Sequence, residues 1–504
     1  MLILEKNYFL VCAKQKNYLM KRMNLLLVFM LVSSQILMAG GLKTNINQSA
    51  AWVRTMSRNA TLGIDAVYYN PAGLAKLQNG FHFSLSNQTI FQTRKVTSDY
   101  AYLNGTPVDY EAELSAPFFP GIYAAYKMDK WAFSLGFNIP GGGGSADFQT
   151  GLPSFEVPVA SLVPLLYSNF EPLDQSIYDA TGWDPGYRNV TAYDMDAAFS
   201  GSSTFYGVQA GATYAINDMI SVAIGGRYVM ARNAYEGSLT GVVVDAPYGG
   251  IQPPGDYVRR VAANPALPPD VVATLEATAA GLDDMTADAQ LNATQSGSGF
   301  TPIIGVNISL SEKVNIAAKY EHHTKIVLTN DTEVDDVDMF PDGEESRADM
   351  PGMFALGAQV SPLKNLTVTG SFNYYLDKGA YYGYTDAEGE QTDNEDVIDE
   401  NGFTWAFSAE YKILPILGVS GGYTSGNNGV NDNYQSGLTY GLKSASWGAG
   451  VFVNLGDMIT LNAGYSVTNY DDYTKAQTSI VGVPYNDTYA KHTSMFAFGI
   501  DISF

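Results

Sequence analysis

From residue 80 onward the chain alternates apolar and polar residues with period two, and it does so in strand-length pieces to its last residue. Ile459, Leu461, Ala463, Tyr465 and Val467 alternate with Thr460, Asn462, Gly464, Ser466 and Thr468. Trp131, Phe133, Leu135, Phe137 and Ile139 alternate with Ala132, Ser134, Gly136 and Asn138. This is the pattern of strands with one apolar face. After residue 40 no apolar run is long enough for a membrane helix. The second face of each strand is small and polar, which suits a closed barrel in lipid with its apolar side outward. In hydrocarbon every backbone group needs an internal partner, so such a sheet must close. The alternation predicts strands near 81–95, 118–127, 130–139, 204–215, 219–236, 300–310, 313–329, 353–361, 365–376, 403–412, 416–425, 445–455, 458–470 and 493–504. That gives an all-β fold, a 14-stranded antiparallel transmembrane β-barrel. Short connections such as Met128-Asp129, Asn217-Asp218 and Gly456-Asp457 alternate with long ones such as 140–203, 237–299 and 377–402. Short periplasmic turns and long outer loops are the expected asymmetry. Trp131, Tyr228, Trp405, Tyr411, Tyr423 and Trp447 suit interfacial girdles.

The N-terminus reads as an export signal. Lys21 and Arg22 precede an apolar run from Leu25 to Leu37 that ends at Ala39-Gly40-Gly41, the three regions of a secretory leader. Residues 1–39 are therefore expected to be a signal peptide with an upstream extension, translation starting at Met20 or Met23. Those residues hold five of the 28 basic residues and one of the 51 acidic ones, leaving 23 against 50 and a net charge of −27. The acidic balance argues against nucleic acid. Cys12 is the one cysteine and falls in the leader, so no disulfide framework or thiolate metal site is expected. An exported, cysteine-free, acidic chain rich in Tyr and Gly has the composition of a bacterial outer-membrane protein. Phe496, Phe498, Ile500 and Ile502 share a face that ends at Phe504, and this stripe resembles the assembly signal of outer-membrane barrels.

Residues 40–80 are not strand-like. They carry a short helical stretch near Gln48 to Arg58 and lead into the first strand. A segment of this size suits a hatch inside the lumen, because larger barrels leave a channel or hold a plug. Domains are thus expected at 1–39, 40–80 and 81–504. Asn70-Pro71-Ala72-Gly73-Leu74 lies just before strand one, about 30 residues into the mature chain. The motif, its position and the count of 14 strands resemble the FadL/TodX family of outer-membrane transporters of long-chain fatty acids and other hydrophobic compounds. Pieces such as Lys130-Trp131-Ala132-Phe133-Ser134-Leu135-Gly136 and Pro351-Gly352-Met353-Phe354-Ala355-Leu356-Gly357 are similar to it as well. The resemblance covers nearly all of residues 40–504. It implies a hatch motif at Asn70, Pro71 and Ala72. It implies an inward kink of strand three, opening a lateral gap around Gly136, Pro140 and Gly141. It also implies an apolar capture groove in the outer loops, for whose wall Phe155, Leu162, Leu165, Leu166 and Phe170 are the candidates and the helical stretch Pro269 to Leu291 is a second candidate.

Strand parity places a basic group inward in this acidic chain: Arg227, Lys319 and Lys325, joined by Arg54 and Arg58 of the hatch. A carboxylate headgroup in the lumen would want such partners; structural pairing with Glu321 and hatch acids is the competing expectation. No nucleophile motif frames the four histidines, and no enzyme activity, cofactor or metal is expected. The acidic stretches 331–345 and 386–400 read as solvated loops or as divalent-ion bridges to lipopolysaccharide; neither has an EF-hand spacing. The expected function is passive transport of a hydrophobic small molecule by outer-loop capture, hatch rearrangement and lateral exit. Expected partners are that substrate, outer-membrane lipid, lipopolysaccharide and the barrel-assembly machinery, with the chain a monomer. A porin-like barrel and a surface adhesin using the acidic loops are the rival expectations.

Overall fold

Fourteen antiparallel strands close on themselves in the computed structural model, which describes residues 42, 44–382 and 394–504. The strands are β1 (Gly80–Ser98), β2 (Val108–Met128), β3 (Trp131–Phe148), β4 (Ala192–Ala215), β5 (Ile220–Ala246) and β6 (Ala289–Ser311). Then come β7 (Val314–Glu321, resuming as Val327–Asp335), β8 (Glu345–Arg347 and Met353–Leu363), β9 (Leu366–Tyr375) and β10 (Phe403–Lys412). The last are β11 (Leu417–Asn427), β12 (Ser444–Leu455), β13 (Ile459–Tyr470 and Tyr473–Thr478) and β14 (Pro484–Ser503). Each pairs with its neighbour in sequence, and β14 returns to β1 from His82↔Ser503 to Ser98↔Asp487. At the periplasmic end Phe504 adds one more rung: its N–H donates to the Phe81 carbonyl at 2.9 Å, and the Phe81 N–H donates back at 2.7 Å.

Burial is inverted relative to a soluble sandwich. On β1, Phe83 and Leu85 are exposed while Ser84, Ser86 and Gln88 of the alternate row are buried. On β5, Ile224 and Tyr228 face out and Arg227 faces in. Phe133, Leu135, Phe300, Phe354, Phe407, Trp447 and Phe498 continue the outer apolar belt. Only a surrounding apolar solvent makes this arrangement favourable.

The strand cores fall where the alternation placed them, but the outer ends run further. β2 begins at 108 instead of 118, β4 at 192 instead of 204, β6 at 289 instead of 300, and β14 at 484 instead of 493. A strand of about 10 residues crosses the hydrocarbon, whereas β5 has 27. Above the membrane the wall needs no lipid-facing apolar row, so its period-two signal fades. The outer loops carry helices: α3 (Pro153–Ala160) and α4 (Leu162–Thr181) after β3, and α5 (Pro254–Ala262) and α6 (Pro269–Met285) after β5. The leader and residues 386–393 of the second acidic stretch lie outside the described residues.

Residues 44–79 sit within the barrel. Helix α1 (Ala50–Thr55) is capped by Ser49, whose Oγ accepts the Trp52 N–H at 3.0 Å, the usual role of serine at that position. A one-turn helix, α2 (Ala66–Tyr69), and a 3₁₀ turn from Pro71 to Lys76 lead into β1. The small residues of the inner wall make room for this plug. A Cβ added at Gly422 would come within 1.8 Å of the Thr55 carbonyl oxygen, and one at Gly448 within 2.3 Å of that of Val53.

Candidate functional site

The plug is fixed to the wall by polar bonds. Pro71 starts the 3₁₀ turn, where its missing N–H costs nothing. The Asn70 amide donates to the Thr61 carbonyl at 3.0 Å and to Asn307 Oδ1 of β6 at 2.8 Å. The next two carbonyls are gripped from β4 and β5: Thr213 donates to Pro71 and Ser221 to Ala72, each at 2.7 Å. Asn70, Pro71 and Ala72 thus form a buried staple that holds the plug against three adjacent strands.

Four of the five basic candidates lie inside the barrel, each matched to an acid. Arg54 meets Glu410 at 2.6 Å and also donates to Asn462 and Ser420. Arg58 clamps Asp65 through two 2.8 Å bonds. Arg227 forks onto Glu321 at 2.7 and 3.0 Å, and Lys319 meets the same carboxylate at 2.6 Å. Lys319 also donates to the Tyr68 carbonyl, and both cations lie over the Tyr68 ring. Structural pairing therefore occupies the charges on which the headgroup expectation was based. Lys325 departs from its expected inward orientation. β7 breaks between Glu321 and Val327, the parity is reset, and Lys325 is exposed while Ile326 is buried.

The five loop residues taken as an exposed groove are also placed differently. Phe155, Leu162, Leu166 and Phe170 are buried, and Leu165 is partly buried. Leu162, Leu166 and Phe170 pack with Tyr257, Val258 and Val261 of α5 and Leu282 of α6, while the Phe155 ring meets that of Phe199 of β4 at a tilt. The apolar residues of the two helical loops satisfy one another and form the core of an outer cap.

The wall itself is split at one place. β2 and β3 pair only from Met128↔Trp131 to Ile122↔Phe137. Beyond that point β2 stays paired with β1 as far as Val108. β3 stays paired with β4 as far as Phe148, through register shifts at 138–141 and 142–144. Pro117 and Pro120 remove two donors from β2 along the split. The β3 edge is bonded by the plug instead: the Asn45 N–H donates to the Pro140 carbonyl at 2.7 Å, and its side chain donates to Gly142 at 2.6 Å. Gln48 exchanges two bonds with Ile139, at 2.9 and 3.2 Å. Pro140 and Gly141 belong to this kinked stretch. Gly136 does not: it lies in the intact ladder opposite Tyr123, and a Cβ there would press on Val67 of the plug. Asn138, not singled out from the sequence, is fully buried at the split with both amide atoms unpartnered.

Little space is left between plug and wall: two narrow clefts, each of about 10 Å³, are both lined by Trp52 and Met56. At the outer rim, the Leu42 N–H, the Gly402 N–H and the Tyr382 hydroxyl all point at Asp377. Burial pushes the Asp377 carboxyl up to about 6. Among the described residues no cluster of three or more His, Cys, Asp or Glu could hold a metal.

No protein-family model matches the chain, and no curated protein does. Solved structures do match. A FadL homologue from Pseudomonas aeruginosa superposes with a TM-score of 0.59 at 12% identity, covering 94% of this chain and 100% of that one. The toluene transporter TodX of P. putida gives 0.51 at 13% identity, covering 88% and 94%. A TodX deletion mutant, described as a monoaromatic hydrocarbon channel, gives 0.53 at 11%, covering 90% and 99%. The inverted burial, the closed sheet and these superpositions make the chain a bacterial outer-membrane β-barrel with the fold of the FadL and TodX proteins.

Proposed function

We propose that the protein carries hydrophobic molecules, long-chain fatty acids or other apolar compounds, across the outer membrane without energy coupling. The observation that carries this reading is the split between β2 and β3, whose open edge is bonded by Asn45 and Gln48 of the plug. A polar solute gains nothing from a door into lipid, whereas an apolar one can leave sideways without entering water. The lumen filled by residues 44–79 argues against a general aqueous pore. The staple at Asn70–Ala72 ties the later part of the plug to three strands, so release would require movement only of the segment around Asn45–Gln48. The outer cap is closed in this structure, and capture would begin by parting its two helical loops.

The test uses the absence of cysteine after residue 12. Cysteines at Phe118 and Gly141, joined by a short bis-maleimide, should stop uptake of a hydrophobic substrate by whole cells. Each single-cysteine protein treated in the same way should transport normally. Uptake that survives a demonstrated cross-link would sink the lateral exit. For the terminal signal, removing Phe504 should lower the amount of assembled barrel, while Phe504→Tyr should not; equal outer-membrane levels of all three would count against it.

A further inference from the structure

The outer loop between β11 and β12 runs inside the barrel. Loops ordinarily cross the surface, because a buried one must find partners for all its backbone groups. Here residues 434–442 are buried, except the half-buried Ser436. Much of that demand is met within the loop. The Gln435 side chain donates to the Gly441 carbonyl at 2.9 Å and accepts the Gly441 N–H at 3.0 Å. The Ser436 N–H donates to the Thr439 carbonyl at 2.7 Å, and Ser436 Oγ accepts the Thr439 N–H at 3.0 Å. The result is a small polar knot with an apolar face. Leu438, Tyr440 and Leu442 share one cluster with Val96 of β1, Phe148 of β3 and Tyr235 of β5.

The inner face of β1 gives the height of this loop. Gln88 exchanges two bonds with Asn47 of the plug, at 2.6 and 3.0 Å. Six residues outward, about 20 Å along a strand, Arg94 meets the loop. One of its terminal nitrogens donates to the Leu438 carbonyl at 3.0 Å, and its guanidinium lies 4.5 Å from the centre of the Tyr440 ring. Just past the strand, the Tyr100 hydroxyl bonds Ser161, between α3 and α4 of the cap, at 2.8 Å. Plug, loop and cap are thus stacked along the barrel. The loop also reaches round the mouth, past β13, β14, β1 and β2, to the residues that follow β3. A Cβ added at Gly437 would lie 3.9 Å from the Leu152 Cβ. A molecule that parts the cap meets this loop before it meets the plug.

We propose that residues 434–442 are a second gate, which must swing away from the β3 side of the mouth before a ligand can pass from the cap to the plug. Wall side chains hold it shut. Besides Arg94, the Lys475 ammonium donates to the Gln435 carbonyl at 2.8 Å, and the loop's own Tyr440 hydroxyl donates to the Ala490 carbonyl at 3.0 Å. The bonds inside the loop travel with it, so opening gives up these wall contacts and the packing of Leu438, Tyr440 and Leu442. An apolar ligand entering the mouth replaces that packing, which couples opening to the presence of cargo. The inference rests on the transport reading and adds to it a controlled step at entry.

The test is a disulfide that pins the gate. The 3.9 Å separation lies within the range a disulfide needs between Cβ atoms, the chain has no cysteine after residue 12, and the cell surface is oxidising. The bond in Leu152→Cys/Gly437→Cys ties the loop to the end of β3 and leaves α4, α5 and α6 unlinked, so the cap can still part. Uptake of radiolabelled oleate and toluene is measured on whole cells before and after a reductant. The oxidised protein should take up its substrate at least about tenfold more slowly than the same protein reduced, because a locked lid bars the path. The reduced protein and each single variant should match the wild type, which shows that the barrel is intact. Equal uptake by the oxidised and reduced forms, with the cross-link demonstrated, overturns the gate and leaves the transport reading standing. A pair that does not cross-link places the loop away from β3 and also overturns it. If wild-type cells take up neither compound faster than cells lacking the chain, the transport reading fails and the gate with it.

Discussion

Replacing Glu321 by Ala should yield a barrel that assembles poorly or unfolds in much milder denaturant, and Glu321→Gln, which also removes the charge, should be damaging to a somewhat smaller degree. Glu321 is the one carboxylate in ion-pair contact with Arg227 and Lys319 among the described residues. All three side chains are buried to within a few per cent. Removing the acid leaves two uncompensated charges at the boundary of plug and wall. Breaking one buried pair typically costs about 3–5 kcal/mol. Here the loss propagates further, because Lys319 also holds the Tyr68 carbonyl and Arg227 holds Gln209 of β4. Glutamine keeps one acceptor for the guanidinium but still leaves both cations without a counter-ion, so it should recover only about 1 kcal/mol of the loss, the worth of one hydrogen bond. The check is the urea midpoint of unfolding in detergent or bilayers. Equal midpoints for the wild type and Glu321→Ala would mean that water or lipid headgroups reach the cluster and that the triad does not anchor the plug.

That triad was legible in the sequence, and the reason shows how far such legibility extends. Where strands cross lipid, one residue out of register would put charge into hydrocarbon, so parity is strictly kept. Arg227, Lys319 and Glu321 could therefore be assigned to the inner face. Their pairing was open to the sequence only as the competing expectation, because it depends on which strands are adjacent at which height. Lys325 lies four residues past Glu321, beyond the point where β7 breaks, and parity there carries no information. Arg94 and Lys491 obey the same inward parity as Ser84 and Thr493, so the signal was present. Their juxtaposition appeared only when the closing register between first and last strands brought the two residues, far apart in the chain, onto one rung. The outer loops were the least readable. Leu162, Leu166 and Phe170 look like an exposed binding patch in one dimension and become a core once α4 meets α5 and α6 in three.

Substituting Gly422 by Val should turn a plugged barrel into a conducting one. Gly422 faces the lumen from β11, and even one added carbon would stand 1.8 Å from the Thr55 carbonyl oxygen and 2.5 Å from its carbon. The obstacle is backbone at the end of α1, so no side-chain rotation relieves it. Overpacking of this kind costs about 1–3 kcal/mol, occasionally more. The wall cannot yield cheaply, since β11 is hydrogen-bonded on both sides, to β10 and β12. The plug can, because α1 is only six residues long and is held to the wall largely through Arg54. The strain should therefore displace α1 and open a water path where Trp52 and Met56 now fill the lumen. Single-channel recording in planar bilayers should show open steps for Gly422→Val and few for the wild type. Gly421→Val is the matched control: it points outward, and its added carbon would find only the Gly448 carbonyl at 3.6 Å. If both variants stay closed while remaining folded, the plug gives way elastically and glycine at 422 is not what permits its seating. If both conduct, the effect belongs to strand β11 itself and not to contact between wall and plug.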